Sequence, residues 1–175
     1  MKRILVGLML AAAAFGGPPL ICERIEIGNA RSLPWKDVGG WAGQDPSYDV
    51  KRLTADTLAL LTPGTSMPAR METMRRAGIY AARDPRMAEE IALRLAARVL
   101  DSDSPDATAL FDAGYFVETV RQAALVYQYN MLSPVEKANW KVTVGIPGLD
   151  GKKWVARAVR MGGKGMDGVL ARMAD

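Results

Sequence analysis

Between Leu110 and Tyr127 the chain leaves almost no room for a polar helix face. Leu110, Phe111, Ala113, Gly114, Phe116, Val117, Val120, Ala123, Ala124, Leu125 and Tyr127 are apolar, and Asp112, Glu118 and Arg121 are the main charges among them. A helix apolar nearly all round is stable in water only when other helices surround it. The stretch therefore predicts the central helix of an all-α fold. At 175 residues the chain is long enough to bury a real core around it. Apolar and charged fractions of 49% and 24% are those of a globular protein rather than a disordered one.

The flanking segments carry helix punctuation. Ser47 or Asp49 is placed to cap a helix with Val50, Leu53, Thr57, Leu60 and Leu61 inward, stopped by Thr62-Pro63-Gly64. Ser66 precedes Met67-Pro68 and a second helix with Met71, Met74, Gly78 and Ala81 at helical spacing. Asp84-Pro85 opens a third, with Ala88, Ile91, Leu95 and Val99 inward and Glu89, Glu90 and Arg94 outward. Ser104-Pro105 is expected to open the central helix, and Ser133-Pro134-Val135-Glu136 reads as a capping box. In each case a small polar side chain accepts from free backbone N–H groups, and Pro follows where no donor is needed. Only 141–146 is β-branched enough to suggest a strand, and Pro147-Gly148 ends it.

The N-terminal end reads differently. Met1-Lys2-Arg3 is followed by twelve uncharged residues, Ile4 to Phe15, and then by Gly16-Gly17-Pro18-Pro19. A membrane-spanning helix needs about 20 apolar residues. The cationic start, short apolar run and breaker match a cleaved secretory signal over 1–17. Its removal takes away two cations and lowers the net charge from +4 to +2. Export to the periplasm or the cell exterior is the expected localisation. Lipidation at Cys22 is disfavoured, because Ile21 stands where a small residue is needed. Residues 18–46, dense in Gly and Pro, read as an irregular arm anchored by Trp35 and Trp41, ahead of a helical domain over 47–175.

Ala77-Gly78-Ile79-Tyr80 recurs as Ala113-Gly114-Tyr115-Phe116 after 36 residues, with Met74 falling on Leu110. A small-Gly-aromatic turn lets a neighbouring helix approach at the glycine. On these residues the span 68–131 resembles two helical hairpins of the tetratricopeptide or HEAT kind. The Trp-x-x-Leu-Gly element of tetratricopeptides is absent. Phe111-Asp112-Ala113-Gly114-Tyr115 also resembles a segment of uncharacterised exported bacterial helical proteins, a likeness that brings no activity with it. The resemblance implies antiparallel helical hairpins, arranged as a bundle or a short α-solenoid, with the irregular arm ahead of them.

Several chemistries are closed to the chain. It has no His and a single Cys, which removes Ser-His-Asp and Cys-His catalysis, imidazole metal sites and an intrachain disulfide. Asp101-Ser102-Asp103-Ser104-Pro105-Asp106 lacks the oxygen ligand and glycine that a calcium loop needs at its fifth and sixth positions. Gly162-Gly163-Lys164-Gly165 lacks the spacing of a phosphate loop and reads as a helix stop. Tyr127-Gln128-Tyr129-Asn130 has a counterpart in peptidoglycan-cleaving transglycosylases, without their Glu-Ser or Gly-Leu-Met-Gln elements. No catalytic, cofactor or metal residue is assigned.

Lys153, Arg157, Arg160 and Lys164 form a stripe, if the segment is helical, that is a candidate for an anionic surface. Nucleic acid is a poor fit to an exported, nearly neutral chain. The expected function is that of an exported, non-catalytic interaction or scaffold protein with a protein or peptide partner in the cell envelope. The alternatives are an envelope hydrolase using Asp112 and Glu118, with Glu118 more simply paired to Arg121, and a protein that lies on a membrane surface through its basic helix.

Overall fold

A computed structural model describes residues 18–36, 40–101, 104, 106–131, 133, 150–166 and 168–173. The expected leader, the capping box beyond Ser133 and the β-branched run at 141–146 lie outside the described residues. The chain is mostly helical. Among the described residues the α-helices, in order, are α1 (Pro19–Cys22), α2 (Leu53–Leu60), α3 (Met67–Ala81), α4 (Pro85–Leu100), α5 (Ala107–Met131), α6 (Gly151–Arg160) and α7 (Val169–Arg172), with 3-10 turns at Gly40–Ala42 and Val50–Arg52. Among the described residues there is no strand, only an isolated antiparallel bridge between Trp35 and Gln44.

Aspartates do most of the capping. Asp49 accepts from the Lys51 N–H ahead of α2, Asp84 from Arg86 and Met87 ahead of α4, and Asp150 from Lys153 ahead of α6. Two expected caps differ. Ser66 makes no side-chain cap for α3. The central helix begins at Ala107 rather than Pro105, because Asp106 accepts from the Thr108 N–H and takes the capping role assigned to Ser104. Helix α2 stops as expected, and the Thr65 hydroxyl donates to the freed Leu60 carbonyl at 2.7 Å. Val50, read as inward, is 42% exposed because it sits in the 3-10 turn before the helix is in register.

Helix α5 is the centre. Every residue from Ala109 to Val120 is buried, including Asp112, Glu118 and Thr119. Two close approaches fix its neighbours. A Cβ on Gly78 of α3 would lie 2.6 Å from Thr119 Cγ2, and a Cβ on Gly114 would lie 2.6 Å from the Gly151 carbonyl oxygen of α6. Both glycines of the recurring turn are thus the points where a later helix meets their own. Helix α4 adds Ala88, Ile91, Leu95 and Val99, all buried, and turns Glu89, Glu90 and Arg94 outward.

Helix α3 is buried on nearly every face, which its stripe of methionines does not suggest. From Ala69 to Ala81 only Arg76 is more than marginally exposed. The cause is the N-terminal arm, which covers the side that α5 leaves open. Leu20 and Ile21 are fully buried, Leu33 nearly so, and Trp35 meets Tyr80 edge-on with ring centroids 5.8 Å apart. Trp41 packs beside Ile21, Ile79, Ala123 and Val126.

Candidate functional site

A cleft of about 670 Å³ opens where four elements end together. The C-terminal end of α2 and the turn after it supply Leu58, Ala59, Leu61, Thr62 and Pro63. Arg70 comes from the first turns of α3, Arg98 from the last turn of α4, and Asp106, Thr108, Ala109 and Asp112 from the start of α5. A helix C-terminus leaves carbonyls without intrahelical donors, and here two arginines answer them. Arg98 donates to the Leu61 and Leu58 carbonyls at 3.1 and 3.2 Å, and Arg70 donates through Nη2 to the Thr62 carbonyl.

Arg70 also donates through Nη1 to Asp112 Oδ2, and each side chain of this pair is only 3% exposed. The pairing is incomplete. Asp112 Oδ1 and Arg70 Nε are buried without a hydrogen-bond partner among the described residues. Burial pushes the Asp112 carboxyl up to about 7, against the opposing pull of Arg70 and Arg98 and with a small further push from Asp106. Such a carboxyl exchanges its proton near neutrality. Among the described residues no group of three Cys, Asp or Glu side chains is arranged to hold a metal ion.

Glu118, unlike Asp112, does not line this cleft. Glu118 lies against Gly151 at the start of α6, where its Oε1 would be 2.9 Å from a Cβ on that glycine. Its other oxygen accepts from Arg121 Nε at 2.9 Å, the pairing expected from their three-residue spacing. Tyr127, from the segment compared with transglycosylases, lies beneath the guanidinium of Arg83 at 5.1 Å, and Asn130 donates to the Val126 carbonyl.

A buried polar cluster on α3 escaped the sequence reading. Glu72 accepts from Arg75 Nε and Nη2 at 2.7 and 2.8 Å, from Arg76 Nε at 2.8 Å, and from the Ile25 N–H at 3.2 Å. The two arginines then reach the arm. Arg75 donates to the Ile21 and Gly40 carbonyls, and Arg76 to the Leu33 carbonyl. Arg75 also stands over the Trp35 ring, 4.9 Å from its centroid. Tyr80 completes the clamp by donating to the Pro34 carbonyl and accepting from the Asp45 N–H. Burial acts to raise the Glu72 carboxyl, and the hydrogen bonds from Arg75, Arg76 and Ile25 outweigh it and hold it below the usual range. The signal was present as Glu72-x-x-Arg75-Arg76, but such spacing reads equally well as a solvated face.

The basic stripe is only partly a helix face. Helix α6 ends at Arg160, and Gly162 turns the chain with φ +77° and an N–H bonded to the Val159 carbonyl. Lys153, Arg157 and Arg160 lie exposed on the helix, while Lys164 is exposed in the turn beyond it, off the predicted stripe. Lys153 pairs with Asp150 at 3.1 Å, and no ion pair reaches Arg157, Arg160 or Lys164 among the described residues. Comparison with protein-family models, curated proteins and solved structures gives no match.

Proposed function

We infer that this chain is an exported, non-catalytic interaction module of the cell envelope, and that the cleft between α2, α3, α4 and α5 is where it takes hold of its partner. One observation carries the reading. A cleft of about 670 Å³ is lined by the buried Arg70–Asp112 pair together with Thr62, Arg98, Asp106 and Thr108. Cavities of this size with a few convergent polar groups are the common form of a binding site. The hydrolase alternative has less behind it, since Asp112 and Glu118 serve different contacts and each has an arginine partner.

We further propose that α3 and α4 form one antiparallel hairpin and that α5 opens a second. The support is the equivalent use of Gly78 and Gly114, each at the contact with a later helix. A photo-crosslinking residue placed at Ala59, on the cleft, should capture a discrete partner in intact cells. The same residue at Glu89, on the outer face of α4, should not. Equal capture at both positions, or none at Ala59, would sink the reading.

A second reading has its own observation. Arg157, Arg160 and Lys164 are exposed without ion pairs among the described residues, and the 46% exposed Met161 directly follows Arg160. Cations with apolar neighbours suit an anionic lipid surface. No described helix is long and apolar enough to cross a membrane. Vesicles containing phosphatidylglycerol should pellet the protein at low salt, and Arg157→Glu should weaken this without altering the fold. Pelleting that is indifferent to salt and to the substitution would remove the reading.

A further inference from the structure

Helix α4 buries Ala88, Ile91, Ala92, Leu95, Ala96 and Val99, yet its outer face is not wholly polar. Leu93 is 48% exposed, and Leu100, at 75%, is the most exposed large apolar side chain among the described residues. Leucines scattered singly on a surface need no account. These two stand seven residues apart, on one side of the helix. At about 100° per residue, Leu93 and Leu100 form one shoulder of the outer face, Arg94 and Asp101 form the other, and the half-buried Ala97 lies between them. Asp101 continues the helical turn, its N–H bonded to the Ala97 carbonyl at 2.9 Å. Arg94 and Asp101 are both exposed, and neither has an ion pair among the described residues, although Glu90 stands one turn before Arg94. Both shoulders are nearly symmetric about Ala97. A two-fold axis at Ala97 that sets a second α4 antiparallel to the first brings like shoulder to like shoulder. Leu93 then meets Leu100 of the second copy, Arg94 meets its Asp101, and the small Ala97 lets the helices cross closely. A parallel pairing would set the leucines against the charges.

We propose that the outer face of α4 is a contact between two copies of this chain, paired antiparallel across Ala97. The charges that the fold leaves unpaired on one shoulder then complete each other across the axis, and the leucines on the other shoulder leave water. A contact of two or three turns falls short of the roughly 1,000 Å² of a stable interface, so the pair forms and parts readily. It uses none of the residues that line the cleft, and it stands or falls apart from the cleft's reading.

Sedimentation of the full chain between about 10 μM and about 1 mM should show a monomer–dimer equilibrium, the range suited to so small a contact. Arg94→Glu sets an acid against Asp101, and Asp101→Arg sets a base against Arg94. Each change alone should therefore weaken the dimer at least about tenfold. Mixed in equal amounts, the two variants should pair with each other at wild-type strength, because both charged contacts then join opposite signs. A chain carrying both changes should recover in the same way. Leu100→Glu should abolish the dimer. All three positions are exposed, so each variant should keep the wild-type melting temperature at low concentration. A chain that stays monomeric throughout would overturn the proposal and leave the stripe to another partner. A dimer indifferent to these changes, or single variants that stay apart on mixing, would overturn it as well. A crosslink from Glu89 to a second copy has twice the chain's mass and reports this contact, not the partner of the cleft.

Discussion

Glu72 and Asp112 show how one residue type does opposite work according to its partners. Glu72 is fully buried yet satisfied from four donors, so it stays charged and anchors two arginines. Glu72→Gln leaves the fully buried Arg75 without a countercharge, and breaking such a pair from one side costs about 3–5 kcal/mol. Urea denaturation followed by Trp fluorescence should report this loss, since Trp35 lies under Arg75. The folded Glu72 carboxyl titrates below its unfolded value of about 4.3. Its contribution is therefore complete above that value and is lost as pH falls through the folded one. Asp112 runs the other way. Its folded carboxyl, raised to about 7, keeps a proton that the unfolded chain releases near 3.9. The stability it contributes is complete below about pH 4 and declines as pH rises to about 7. Asp112→Asn has nothing to titrate, so its melting temperature should fall less between pH 4 and 7 than that of the wild type. An unchanged slope would refute the role given to Asp112.

At the level of elements, the tightest test is the crossing of α5 and α6. The Gly114 and Gly151 backbones face each other so closely that a Cβ on either would lie 2.6 Å from the other's carbonyl oxygen. Backbone cannot rotate aside as a side chain can. Gly114→Ala should cost at least about 1–3 kcal/mol by overpacking, and Gly114→Leu more. Gly64→Ala, with only the Thr62 hydroxyl at 4.0 Å, is the control. Wild-type melting of Gly114→Leu would contradict the crossing. This contact was legible in part: the Ala-Gly-aromatic turn announced a close approach at Gly114, and the unbroken apolar run announced that α5 is central. The identity of the approaching helix was not legible, because a glycine marks a gap without naming what fills it. Capping by Asp49 and Asp84 was readable for a local reason, since a cap acts on N–H groups two or three residues away. The clamp on α3 and the Arg70–Asp112 pair were not, since they join groups 35 or more residues apart, many of them arm backbone atoms that leave no trace in side-chain pattern. The cleft was invisible for the same reason, being built from four element ends that only the fold collects.

For the molecule as a whole, the decisive region is the short turn that begins the described chain. Leu20 and Ile21 are fully buried, the Leu20 N–H donates to Gln122 Oε1 of α5 at 2.9 Å, and Arg172 of α7 donates to the Pro19 carbonyl at 3.0 Å. Arg75 of α3 holds the Ile21 carbonyl at 2.8 Å. Four residues thus tie together the arm, α3, the central helix and the C-terminal end. On the proposal that the chain is exported, this limits where a leader can be cut. A cut after Gly17 leaves the turn intact, whereas a lipoprotein-type cut before Cys22 would discard both buried side chains and three of these hydrogen bonds. The half-buried Cys22 thiol is also pushed up by burial, against the pull of Arg75, which disfavours the thiolate. Mass spectrometry of protein recovered from the envelope should therefore find a mature chain starting at or before Pro19, with Cys22 unmodified. Leu20→Ala should cost about 2–5 kcal/mol, as for a fully buried leucine elsewhere. A chain expressed from Cys22 onward should melt well below the chain beginning at Pro18. If it melted at the same temperature, the turn would be an ornament of the fold rather than its keystone, and an acylated Cys22 would again be compatible with the architecture.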